Sequence, residues 1–174
     1  MTTLHGLGLL RAARNLPPRG LLALDLGTSC GYAVGVGAEP TTAGTWHLGA
    51  RPGDSYGVRY LLLRARLAEV RAAYPGLGLV VTETAHHRGG AATRVALGYQ
   101  ATVETWCVEH AVEHAGVAAS TLKRHATGKG NAKKDAMLAA GRARWELDPA
   151  ATDDEIDARW IYDYARGAIL GVRE

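Results

Sequence analysis

The chain has no phenylalanine and only two cysteines, Cys30 and Cys107. It also has no apolar run of the ~18 residues that a bilayer-spanning helix requires, which argues against a membrane span. The segment Leu4 to Leu10 is short and broken by glycine, so a signal peptide is not expected. Two cysteines are too few for a disulfide framework, and isolated reduced thiols, as in a cytoplasmic protein, are the expectation. Strong charge of one sign is lacking too. With a formal net charge of +3, the distribution of charge matters more than its sum.

At 174 residues, 47% hydrophobic and with 22 glycines, the chain fits one α/β domain with a sizeable core. Residues 1–19 carry Arg11, Arg14 and Arg19 around Pro17-Pro18 and read as a basic extension ahead of a domain over residues 20–174. A solvated tail or a weak phosphate-contacting arm are its two readings. The run Leu21 to Leu26 reads as a central strand, followed by strands over 31–36 and 41–48 joined by the turn Gly37 to Pro40. Tyr60, Leu63, Leu67, Val70 and Tyr74 mark one face of a helix that Pro75-Gly76 ends. A strand over 79–83 comes next, then a long helix over about 91–114, either central to the core or shared with another subunit. A last strand over 117–122, a basic loop, a helix over 132–144 and an acidic helix complete the order βββ-α-β-α-β-α-α.

Four acids stand inside or at the ends of these apolar elements. Asp25 interrupts the first strand, Glu83 ends the fourth, and Asp154 and Asp157 share a helical stripe with Ile161, Tyr164 and Ala168 that points toward the sheet. Thr152 reads as the N-cap of that helix, with Asp153 and Glu155 interacting favourably with its N-terminus. An ionised carboxylate in an apolar interior costs several kcal/mol unless paired or bound to metal. Oxygen-only donors suit Mg²⁺, with Mn²⁺ as substitute, rather than Zn²⁺. Two such ions about 4 Å apart support in-line attack of water on a phosphodiester. The acids thus point to nuclease chemistry.

The motifs Leu-Asp-Leu-Gly-Thr around Asp25, Thr-Glu-Thr at Glu83, Thr-Leu-Lys-Arg-His-Ala-Thr-Gly-Lys-Gly-Asn-Ala-Lys-Lys from Thr121 and Asp-Glu-Ile-Asp-Ala from Asp154 stand in a telling order. Across roughly residues 20 to 170 the chain resembles the RuvC family of Holliday junction resolvases. The resemblance implies an RNase H-like fold, a mixed five-stranded sheet flanked by helices. It further implies a homodimer cutting four-way DNA junctions by paired symmetric nicks, leaving 5′-phosphate and 3′-hydroxyl ends. Asp25, Glu83, Asp154 and Asp157 would hold two Mg²⁺ ions per site, and the long helix after Glu83 would supply much of the dimer contact.

Lys123, Arg124, Lys129, Lys133 and Lys134 crowd around Gly128 and Gly130, where glycine lets backbone approach a phosphate and the cations neutralise it. By resemblance Lys123 and Lys134 match the two family lysines near the scissile strand, with Lys134 stabilising developing negative charge. His86, His87 and Arg88 follow Glu83 as further candidate DNA contacts. The family commonly places an aromatic wedge where this chain has His86, and a histidine stacks more weakly. Trp46, Trp106, Trp145 and Trp160 are expected in the core, with Trp145, after Arg142 and Arg144, the one to inspect for DNA contact. Three other readings compete: a broad debranching nuclease acting on flaps and forks, a catalytically silent junction-binding module, and a phosphate-binding ATPase or sugar kinase. The last arises because Leu-Asp-Leu-Gly-Thr-Ser also resembles the phosphate-loop start of the actin and hexokinase superfamily, whose members need two lobes where this chain has room for one.

Overall fold

The computed structural model describes residues 19–49, 51, 53–84, 90–169 and 171. The candidate DNA contacts His86, His87 and Arg88 and nearly all of the basic extension lie outside them. Strands β1 (Gly20–Asp25), β2 (Ser29–Gly35) and β3 (Thr42–His47) form the expected antiparallel meander. Helix α1 (Tyr56–Ala73), strand β4 (Leu77–Glu83), helix α2 (Gly90–Glu109) and strand β5 (Glu113–Val117) follow. The chain ends with α3 (Ala119–Thr127), α4 (Lys134–Trp145) and α5 (Asp153–Tyr164), the last continued by a π-helical segment, Ala165–Ile169.

The five strands lie in the order β3-β2-β1-β4-β5, with β4 and β5 joining parallel to β1. β1 is central, and its Leu21 to Leu24 have no exposed surface, as a strand covered on both faces must. Alternation then divides the core. Leu22 and Leu24 face α1 and α2, packing with Leu63, Leu67, Tyr99 and Trp106. Leu21 and Ala23 face α5, packing with Ala158, Ile161 and Tyr162. Cys30 and Cys107 are buried free thiols on the α1/α2 side.

Three sequence expectations need correction. The long helix stops at Glu109, short of His114, because Ala111 adopts a left-handed conformation (φ 53°) while Val112 N–H donates to Cys107 and Ala111 N–H to Val108. That is a Schellman stop built on alanine, without the glycine that would have announced it. The last strand accordingly occupies 113–117, and the segment read as a strand over 117–122 followed by a basic loop is largely helix α3, with Gly128 (φ 76°) as its left-handed cap. Finally, Ala168 is exposed and off the inward stripe, since the helix widens to π geometry at Ala165.

One glycine decides where α5 sits. Gly31, paired with Asp25 across β1 and β2, lies directly under the backbone carbonyl of Asp154 and against the Ala158 methyl (a Cβ there would be 3.2 Å away), so a side chain at Gly31 would overlap α5 itself. Gly31→Ala should therefore lower stability by roughly 1–3 kcal/mol by overpacking. Gly76→Ala, where an added Cβ meets nothing within 4 Å, should change it by less than ~0.5 kcal/mol. Urea unfolding compares the two, and equal midpoints would show that α5 does not depend on this close approach.

Candidate active site

The four acids named from the sequence meet at one end of the sheet, by the carboxyl ends of the interior strands β1 and β4. Asp25 continues the Leu21–Ala23 stripe and Glu83 the Leu79–Val81 stripe, so both side chains are on the α5 face. The parallel register pairing Leu24 with Thr82 sets Asp25 next to Glu83 at the carboxyl ends of neighbouring strands. Gly31, opposite Asp25 on β2, admits the first turn of α5 and brings Asp154 to the same place. Thr152 fixes that turn. Its side-chain oxygen accepts from the Glu155 backbone N–H at 3.1 Å, the N-cap bond expected of it, and also pairs with the Thr45 hydroxyl on β3. Asp157 follows one turn later.

Their electrostatics show how tightly the acids are coupled. Burial, then the negative charges of Asp157, Glu83 and Asp154, push the Asp25 carboxyl up to about 7, while Lys134 works in the opposite sense. Burial also raises Asp157, aided by Asp153 and Asp154 and opposed by its hydrogen bond from Lys134. Lys134 Nζ donates to Asp157 Oδ2 at 3.0 Å from the first turn of α4. Burial alone would lower that ammonium, but the Asp157 bond and the charges of Asp157, Asp153 and Asp25 raise it above the ordinary lysine value. Lys134 is thus a fixed cation at the acid cluster. Cys30, against Asp25, is no competing nucleophile, because burial first and Asp25 second raise its thiol far out of the reactive range.

Beside the acids opens a groove of about 380 Å³ lined by Glu83, Asp157, Lys123 and Lys134, together with Ser120 and Gly130. Sequence reading named Lys123 and Lys134 but missed Ser120, because 119–122 reads as strand rather than as the first turn of α3. Arg124 folds across Gly130, where an added Cβ would lie 3.3 Å from its guanidinium nitrogen, while Lys129 and Lys133 are exposed on the same surface. Trp145, proposed for inspection, packs against Trp160 with ring centroids 4.5 Å apart and donates its indole N–H to Glu39 at 2.9 Å, so it belongs to the α4–α5 core. Trp106 and Trp160 are buried and Trp46 stacks on Tyr32. Asp153 lies 4.0 Å from Arg142, and Glu155 pairs with Arg159 at 2.9 Å, so neither joins the cluster by direct contact.

Among the described residues no three acid, histidine or cysteine side chains form a finished metal cage. Mutually repelling carboxylates, one already held by Lys134, have no reason to converge further without a cation between them. Their chemistry nevertheless fits a hard divalent ion, since all four donors are carboxylate oxygens and burial together with their mutual repulsion disfavours their charge in its absence.

A pH prediction follows from Asp25. Its folded value of about 7 lies above the ordinary 3.8, so between those values the folded state holds a proton that the unfolded state has released. Stability must then fall as pH rises through that window and level off above it, by up to about 4 kcal/mol from this group. In chelator, urea unfolding at pH 5 and pH 8, which spans about two pH units of that window, should show a loss of about 3 kcal/mol in the wild type and a much smaller one in Asp25→Asn. Equal slopes in the two proteins would mean that Asp25 is not desolvated among acids.

No family model matches the chain, and no curated protein matches it. Solved structures do match. A Thermus thermophilus RuvC structure aligns with a TM-score of 0.64 at 21% identity, covering 86% of this chain and 97% of that one. T. thermophilus RuvC in complex with Holliday junction substrate aligns with a TM-score of 0.68 at 20% identity, covering 88% and 96%. The mixed five-stranded sheet and its flanking helices are therefore the RuvC-like, RNase H-like α/β fold that the sequence motifs led us to expect.

Proposed function

We propose that the protein is a metal-dependent endodeoxyribonuclease that resolves four-way DNA junctions by paired symmetric nicks, leaving 5′-phosphate and 3′-hydroxyl ends. The observation that carries this reading is the gathering of Asp25, Glu83, Asp154 and Asp157 at one end of the sheet, with Lys134 bonded to Asp157 and Lys123 in the same groove. The fold is that of T. thermophilus RuvC, one of whose structures holds a Holliday junction substrate. Asp25, Glu83, Asp154 and Asp157 would hold Mg²⁺ or Mn²⁺, and a bound pair of ions supplies water activation and stabilisation of the leaving oxygen. The chain's own residues do the remainder. Lys134 holds Asp157 in place and sets positive charge where a phosphate's charge grows, and Lys123 neutralises the phosphate on the far side of the groove. Lys129, Lys133 and Arg124 extend the cationic surface along the strand.

The same reading includes a homodimer placing two sites on symmetric strands. Leu97 and Val108 on α2 are exposed (41% and 83%) and stand eleven residues apart, three turns, hence on one stripe, with Leu61 of α1 also exposed. Exposed Leu97, Ala101 and Val108, with Glu104 between the last two, on the helix whose opposite side carries Tyr99, Val103 and Trp106 into the core, form a mixed face that suits a second copy of the chain. Sedimentation should show a dimer that Val108→Glu weakens at least tenfold, and a wild-type monomer at micromolar concentration would remove this part of the proposal.

Cleavage of a labelled synthetic junction, beside a linear duplex and a flap of matched sequence, tests the central proposal. With Mg²⁺ or Mn²⁺ the junction should be nicked symmetrically, and EDTA, Asp25→Asn and Glu83→Gln should each abolish nicking while leaving junction binding largely intact. Cutting of every branched substrate alike would mean a debranching nuclease, and cutting of none would sink the assignment. Lys134→Ala should slow cleavage roughly a hundredfold. Its effect on binding should shrink with rising salt, the slope of log affinity against log salt falling by about one.

A further inference from the structure

The turn after β1 has two faces, and the acid cluster uses only one. Asp25 continues the stripe that faces α5, whereas Leu26 continues the Leu22–Leu24 stripe that faces α1 and α2. On that second face, directly across the sheet from the carboxylates, lies a cavity of about 400 Å³ lined by Leu26, Gly27, Thr28, Tyr56, Arg59 and Tyr99. Among the described residues its lining has no carboxylate. Tyr56 stands in the first turn of α1 and is 37% exposed, and the Arg94 guanidinium from α2 sits 4.8 Å from the ring centre. The Arg59 guanidinium lies beside the Tyr99 hydroxyl, which donates to the Leu48 carbonyl at 3.3 Å. Tyr60 braces Tyr99 edge-on, ring centroids 5.6 Å apart. None of these residues serves the acid cluster.

The chemistry of this cavity is that of a base site. An apolar floor, an aromatic face and a guanidinium in a volume near 400 Å³ suit a small planar heterocycle with acceptors on its edge. The adjoining cationic plane over Tyr56 adds a second stacking surface of the kind that holds single-stranded bases. Position supplies the rest. A strand crossing the end of β1 with its phosphate at Asp25 and Glu83 has the Leu26–Thr28 turn directly beneath it, and that turn is one wall of the cavity.

We propose that this cavity receives one unstacked nucleobase of the DNA strand whose phosphodiester lies at the four carboxylates, with Tyr56 as its stacking face and Arg59 as its hydrogen-bond donor. This rests on the nuclease reading and deepens it. A base held in a duplex stack cannot enter, whereas a base at the opened centre of a branch can, so occupancy couples strand opening to cleavage. Tyr56 and Arg59 are then specificity-determining residues on the face of the sheet opposite the acids.

The test is an abasic scan of the junction, one position at a time around the mapped nick, with wild type, Tyr56→Ala, Tyr56→Phe and Arg59→Ala, all full-length and with Mg²⁺. The wild type should lose about tenfold or more in cleavage at one abasic position per strand, the size expected for a lost base–aromatic stack. Tyr56→Ala should cut the intact junction slower by a similar factor and lose little more when that position is abasic, while Tyr56→Phe behaves as wild type. Arg59→Ala should relax any base preference at that position without moving the nick. Additive losses for Tyr56→Ala and the abasic site, or Tyr56→Ala cutting at the wild-type rate and position, would overturn the base site and leave the nuclease intact. Failure of the wild type to bind or cut any junction would overturn both. Tyr56 is at a helix start and partly exposed, so unchanged urea midpoints should accompany both Tyr56 variants, and Arg59→Ala, which takes a neighbour from the buried Tyr99 hydroxyl, is assayed well below its own midpoint.

Discussion

Repulsion among four carboxylates is the constraint that the rest of this structure has to satisfy. No local interaction favours bringing Asp25, Glu83, Asp154 and Asp157 together, and burial first, then the neighbouring negative charges, raise the Asp25 carboxyl to about 7. What opposes the repulsion is apolar packing on both faces of β1, where Leu21 to Leu24 are wholly buried, and the seating of α5 by Ala158, Ile161 and Tyr162. The missing side chain at Gly31 permits that seating, and the Thr152 cap keeps the first turn wound on the spot. A core that is stable elsewhere can hold an unfavourable electrostatic arrangement at its edge.

Opposite charges are placed by a different device. Lys134 begins α4, and α4 is held against α5 by Met137, Ile156 and Trp160, with Gly141 leaving room for the Ile156 methyl and the Trp160 indole. The Trp160 indole N–H donates to the Met137 carbonyl at 3.2 Å, which locks the two helices in one register. The Lys134–Asp157 ion pair is therefore set by a buried interface rather than by two free surface side chains. The Lys134 side chain itself is 53% exposed, so what the interface fixes is where the pair forms rather than a large net worth for it. The backbone that carries the cation of the acid cluster is thereby held in place.

The sequence carried much of this site and less of the fold around it. Asp25 and Glu83 were legible because a charge inside a run such as Leu21 to Leu26 has no structural excuse, and the Thr152 cap marked the start of α5. The strand meander and the inward face of α1 followed from periodicity. The stop of α2 was not legible, because Ala111 takes the left-handed conformation that glycine normally advertises. Helix α3 was hidden for the opposite reason: Val117 and the small residues after it resemble a strand, and Gly128 reads as a loop signal when it is a helix cap. Ser120 was lost with that helix. Gly31 carries no signal at all in one dimension, since its importance comes from a helix that arrives more than a hundred residues later.

A second layer of charge extends the same logic outward from α5. His125 on α3 bonds Asp163 at 2.6 Å, Arg144 on α4 reaches both Asp163 and Glu39, and Trp145 donates to Glu39 in the β2–β3 turn. Each helix that bears a cation of the groove is thus tied to α5, α3 with Lys123 through His125 and α4 with Lys134 through Arg144, and Arg144 also reaches the β2–β3 turn through Glu39. Arg166, only 3% exposed, closes the ring by donating to the carbonyls of Arg19 and Gly35 and to the Tyr162 hydroxyl, which anchors the π-helical end of α5 to the start of β1 and the end of β2. Buried groups of this kind are worth most when every partner is present, because the loss of one strands the others. The arrangement makes the position of the lysines a property of the whole helical layer, so the placement of the groove's charges depends on how α3 and α4 pack against α5.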